Sequence, residues 1–73
     1  MILVRRSVTV LTGDRLPPAV AAVADRVVLR HDFCCTAVAM SGGAVVGMGV
    51  GRCDEAALER VASVCARRPG AGE

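Results

Sequence analysis

A small α/β domain of the two-layer α+β kind, in the order β-α-β-β-β-α, is the fold this sequence predicts, and three observations carry the prediction. Short runs rich in β-branched and small apolar residues recur at 7–12, 26–33, 35–40 and 44–50, and runs of that length bounded by Gly, Asp or Ser read as strands. Between the first two, the apolar positions Leu16, Val20, Val23 and Val27 fall at spacings of four, three and four, which is one face of a helix. The last stretch, "DEAALERVASVCARR", opens with acids and ends with arginines, the order that a helix dipole favours. Two helices covering one face of a mixed four-stranded sheet satisfy all three.

Taken in order, "SVTVLT" at 7–12 stops at Gly13-Asp14, a strand running into a loop. Asp14 then caps a helix whose first turn tolerates Pro17 and Pro18, because the amides there lack intrahelical partners anyway. The run "RVVLRHDF" forms the second strand, with Val27, Leu29, His31 and Phe33 on one side and Val28, Arg30 and Asp32 on the other. A helix between two strands implies a parallel pair joined by a right-handed crossover. Ser41-Gly42-Gly43 separates the next two runs, a hairpin signal. Leu58, Val61 and Cys65 form the stripe of the final helix, which Pro69-Gly70 closes. Residues 1–68 then make one domain, with 69–73 as a frayed tail.

The core of such a domain is thin. Hydrophobic residues make up 53% of the 73 positions, but the only aromatic is Phe33, so Val, Ala, Leu, Met and Cys must fill it. A chain this short buries only about 60% of its unfolded surface, and small domains commonly gain stability from a metal, a disulfide or a partner subunit. A homo-oligomer, or docking on a partner protein, is the expectation. All nine basic residues are arginine and the formal charge is only +2. Arg5, Arg6, Arg30, Arg67 and Arg68 lack an aromatic stacking platform, so they read as a solvated surface and not as a nucleic-acid interface. The start "MILVRRSVTVLTGD" has no signal-peptide pattern, and no apolar run is long enough to span a membrane. The expected location is cytoplasmic, where cysteines serve as thiols or metal ligands more often than as disulfides.

"HDFCC" at 31–35 gathers the single histidine, the single aromatic and two of four cysteines. His31, Cys34, Cys35 and Cys53 are the candidate metal ligands, since imidazole and thiolate are donors that zinc and copper prefer. The spacing H-x2-C-C-x17-C-x11-C contains no C-x2-C pair, and in a regular strand Cys34 and Cys35 would point to opposite faces. A turn or bulge would remove that objection. The competing reading is that these sulfurs pack as small hydrophobes, which suits Cys65 best. Cys53 stands at a helix start, where the dipole lowers a thiol pKa. Gly47, Gly49 and Gly51 alternate and leave one strand face bare, for a closely packed helix, a subunit contact or a flat ligand.

Two family resemblances add expectations. The run "VTVLTG" at 8–13, a helix, and then "VVLRHDF" at 27–33 resemble the opening of CobW-like metallochaperone GTPases, where a strand leads into a phosphate loop and a helix returns to a second strand. A phosphate loop needs a lysine, and this chain has none, so the resemblance implies a degenerate domain without GTPase activity. Cys34, Cys35 and Cys53 do not reproduce that family's cysteine motif. "VTVLTGDR" followed by a proline-containing helix start also resembles ACT regulatory domains, with Leu16-Pro17-Pro18 in place of the usual Pro-Gly and no strand after the last helix. That resemblance implies a dimer holding a small-molecule metabolite at Gly13, Asp14 and Arg15 and at the subunit interface.

The functional expectation is a small non-catalytic binding or accessory module that works as an oligomer or as a subunit of a larger assembly. A zinc- or copper-handling protein and an ACT-like regulatory module are the alternatives. No acid, base and nucleophile constellation is legible.

Overall fold

A computed structural model of the chain describes residues 7–67. Strands β1 (Ser7–Thr12), β2 (Arg26–His31), β3 (Cys35–Ser41) and β4 (Ala44–Gly51) lie in that order in one sheet. A single 3-10 turn (Gly13–Arg15) and helix α1 (Pro18–Ala21) connect β1 to β2, and helix α2 (Asp54–Ala66) follows β4. Both helices contribute to one core against a single face of the sheet. The α+β class and the element order therefore stand as expected. The tail at 69–73, and with it Arg5, Arg6 and Arg68, fall outside the described residues.

Strand direction, the Asp14 cap and the length of the first helix differ from expectation: α1 ends at Ala21, and Val27 lies in β2 instead of on a helical face. β1 and β2 are antiparallel, as are the other two strand pairs, so the sheet is not mixed and no crossover exists. A parallel return must carry the chain back along the whole strand, and six residues of strand span about 20 Å. The four residues of α1 rise only about 6 Å, so the chain folds over and comes back beside β1. Asp14 does not cap α1; it lies in the 3-10 turn, and Pro17 is the N-cap without a side-chain bond. Val23 and Ala24 turn their amides back on Val20 O, and the Asp25 amide already donates to Met40 O at 2.9 Å.

The hairpin between β3 and β4 turns on Gly42 and Gly43, whose φ angles of 57° and 87° are the left-handed region that two-residue hairpins require. Between β2 and β3 the chain turns at 32–34, with the Asp32 amide donating to Cys34 O at 3.1 Å. β2 thus ends at His31, and Phe33 stands at the turn, 91% exposed.

The helix-facing side of the sheet is graded in size. In register across the strands run Leu11, Val27, Ala39 and Gly47, and beside them Thr9, Leu29, Ala37 and Gly49. From β2 to β4 the side chains shrink in both rows, so α2 descends until its backbone meets β4. A Cβ built on Gly49 would sit 2.5 Å from Val61 N, and one on Gly51 would sit 2.6 Å from Ala57 N. Close helix packing is therefore what the bare glycine face serves. A bulge between Ala39 and Met40 adds one residue to β4, and a one-residue shift exchanges the two faces of a strand. Beyond it Gly47 and Gly49 are buried while Met48 and Val50 are exposed.

Candidate functional site

One end of the sheet places Ser7, His31, Cys35 and Gly51 side by side in register. Because α2 packs directly on the β4 glycines, its first turn comes down over this row. Asp54, the first residue of α2, brings its carboxylate to the two neighbouring side chains. Asp54 Oδ1 accepts hydrogen bonds from His31 Nε2 at 2.6 Å and from Cys35 Sγ at 3.1 Å. The other ring nitrogen, His31 Nδ1, lies 3.1 Å from Ser7 Oγ. In the neutral ring, Nε2 carries the proton toward Asp54 and Nδ1 accepts the serine hydroxyl, a tautomer assigned from its partners.

The electrostatics follow from burial and from these bonds. Cys35 is buried, and desolvation first, then the hydrogen bond to Asp54, push its thiol up to about 11. The Cys35 thiol first, and then the His31 ring, hold the Asp54 carboxyl below its ordinary value. At neutral pH the end of the sheet therefore carries a carboxylate and a protonated thiol. A buried thiol facing a carboxylate is a poor nucleophile. Both ring nitrogens of His31 are engaged, with Ser7 and Asp54.

Of the four ligands read from the sequence, the fold brings two together. One ligand atom each from His31, Cys35 and Asp54 lie within 4.8 Å of one another, a group with the donors to hold a metal ion. Cys34 is exposed in the turn at 32–34, and Cys53 is exposed as the N-cap of α2; neither belongs to the converging group. The turn answers the objection about adjacent cysteines by separating them, with Cys35 entering the core and Cys34 facing solvent. Asp54 was invisible to spacing arguments, because it lies 19 and 23 residues from its partners. The signal for it was indirect, in a glycine strand that draws the start of α2 onto the ends of β2 and β3. Cys65 is buried in the core, as its place on the helix stripe implies.

The other face of the sheet bears no helix among the described residues. Its central row, Val10, Val28, Val38 and Met48, is wholly apolar, and Val8 and Val50 extend it with 61% and 45% exposure. Arg30 and Arg26 sit in the rows on either side. Gly13, Asp14 and Arg15 occupy an exposed turn at the opposite end of β1 from Ser7, remote from the His31 group. No helix among the described residues is long and apolar enough to cross a membrane. No family model, curated protein or solved structure matches the chain.

Proposed function

We propose that the chain is a non-catalytic association module that pairs with a second copy of itself through the helix-free face of its sheet. One observation carries the reading: Val8, Val10, Val28, Val38, Met48 and Val50 share that face, with nothing of the described chain over it. An antiparallel sheet with one solvated face normally alternates apolar with polar residues, whereas here the central row of the helix-free face is apolar across all four strands, with Arg30 and Thr36 in the row on one side and Thr12 and Arg26 in the row on the other. An apolar centre flanked by arginines is the pattern of a protein interface.

The size of the face favours a second copy. Four strands at about 4.8 Å spacing and six residues in length give roughly 19 by 20 Å, or about 400 Å² in projection. Two such faces together give about 800 Å² in projection and more in accessible area, near the lower end of specific interfaces. A dimer forming at micromolar concentration is the corresponding strength. Sedimentation velocity across a concentration series tests it. Wild type is expected at twice the 7.5 kDa chain mass, and Val10→Arg and Met48→Arg, both at exposed positions, are expected as folded monomers. A wild type that stays monomeric through the micromolar range overturns the proposal.

A further inference from the structure

We infer that His31, Cys35 and Asp54 form a binding site for a divalent transition-metal cation of the zinc class, at the end of the sheet and independent of the pairing face. Three donors of different chemistry, an imidazole nitrogen, a thiol sulfur and a carboxylate oxygen, converge within 4.8 Å. They come from three separate elements, the last residue of β2, the first of β3 and the first of α2. His31 and Cys35 are cross-strand partners, so their side chains leave the sheet next to each other. Gly51, the next residue in that row, lets the first turn of α2 pack on the strand at Ala56 and Ala57, and Asp54 opens that turn.

At the point of convergence the three side chains meet through hydrogen bonds. The His31 Nε2 hydrogen and the Cys35 thiol hydrogen are both directed at Asp54 Oδ1. A divalent cation substitutes for those two hydrogens. Cys35 releases its proton to solvent and forms the sulfur–metal bond. The His31 ring stays neutral and carries its proton on Nδ1, where Ser7 Oγ accepts it, so Nε2 offers its lone pair to the ion. Asp54 is already a carboxylate. One proton leaves, and one thiolate and one carboxylate neutralise the ion's two charges. Bonds of about 2.0–2.3 Å to a tetrahedral centre separate the ligand atoms by about 3.3–3.8 Å. His31 and Asp54, whose side chains are 31% and 51% exposed, have the freedom to open by that much.

The donor set selects the ion. Calcium and magnesium take oxygen ligands, and copper(I) favours softer all-sulfur sites, whereas zinc and cobalt(II) accept nitrogen, sulfur and oxygen together. Three protein ligands leave a fourth position for water, the arrangement of open zinc sites. The Ser7 hydroxyl supplies the outer contact that ligating histidines usually make through their second nitrogen; Ser7 is a positioning residue and touches no metal.

Cobalt(II) titration of the reduced, chelator-treated chain at neutral pH, followed by absorbance, decides the matter. One equivalent is expected to produce a thiolate-to-cobalt charge-transfer band with the intensified visible bands of a tetrahedral centre, and zinc is expected to displace it. Cys35→Ser abolishes the charge-transfer band, and His31→Ala and Asp54→Asn weaken binding at least tenfold. Ser7→Ala weakens it about tenfold without changing the band. The Cys34→Ser, Cys53→Ser double variant keeps the wild-type spectrum. Should Cys35→Ser fail to fold, the near-isosteric Asp54→Asn, at an exposed position, decides alone. Absence of a stoichiometric complex, a charge-transfer band lost in the Cys34/Cys53 variant, or full affinity in Asp54→Asn overturns the assignment.

Discussion

The Asp25 carboxylate accepts the Gly42 amide at 2.9 Å and the Arg26 guanidinium at 3.0 Å, while its own amide donates to Met40 O at 2.9 Å. One exposed side chain thus ties the end of the β1–β2 connection to the β3–β4 turn. The Gly42 amide first, and then Arg26, hold its carboxyl below the ordinary 3.8. A depressed folded-state pKa contributes stability that is fully present above the unfolded value and lost as pH falls through the folded one. Asp25→Asn is therefore expected to melt lower than wild type at neutral pH, with the gap closing below about pH 4. A gap that persists unchanged into acid would show that the charge contributes nothing. The cysteines divide at the same scale, Cys34 and Cys53 being exposed, Cys35 and Cys65 buried. Mass spectrometry after iodoacetamide treatment of metal-free protein is expected to find two thiols modified at once and two protected until unfolding.

Contact between β4 and α2 is close enough to exclude a methyl group, and it rests on residues that have no side chain. At Gly49 a methyl group would meet Val61 N and Ala57 O, 2.5 and 2.8 Å away, and helix backbone cannot move aside without lifting the whole of α2. Gly49→Ala is expected to cost about 3 kcal/mol or more by overpacking. Gly47→Ala meets Cys65 Sγ at 3.1 Å and Val64 Cγ1 at 3.5 Å, side-chain atoms that can shift, so its cost stays near 1 kcal/mol. Denaturant unfolding of the two variants measures the difference; equal costs would mean that α2 sits farther from the strand. The same contact delivers Asp54 to His31 and Cys35. Lifting α2 in Gly49→Ala is thus also expected to weaken the cobalt complex, although Gly49 touches none of its ligands.

For the whole molecule, a domain with one covered and one uncovered apolar face gains stability when the second face is buried. Folding and pairing are then linked, and the melting temperature rises with protein concentration by mass action. Thermal unfolding at increasing chain concentration is expected to show that rise in wild type and a flat response in Met48→Arg.

Strand positions and α2 were legible because they depend on local chemistry: β-branched runs, a glycine pair that accepts left-handed φ, and acids ahead of arginines in α2; the first helix was overextended, since α1 ends at Ala21 and Val27 belongs to β2. The packing stripe Val61 and Cys65 was legible for the same reason, since helical periodicity is a local property. Strand direction was not, because the shortness of α1 matters only against the length of the sheet that a crossover must span. The bare glycine face of β4 was legible as a seat for a closely packed helix, but the bulge that turns it inward was not. By hydrophobicity Val46, Met48 and Val50 make the natural core face, and the bulge at Ala39/Met40 instead turns Gly47 and Gly49 toward α2. The sequence by itself determined the elements and named His31 and Cys35 as donors. Only the tertiary structure brought Asp54, and not Cys34 or Cys53, to His31 and Cys35, because two strand ends and a helix start meet only once backbone packing has brought them to one point.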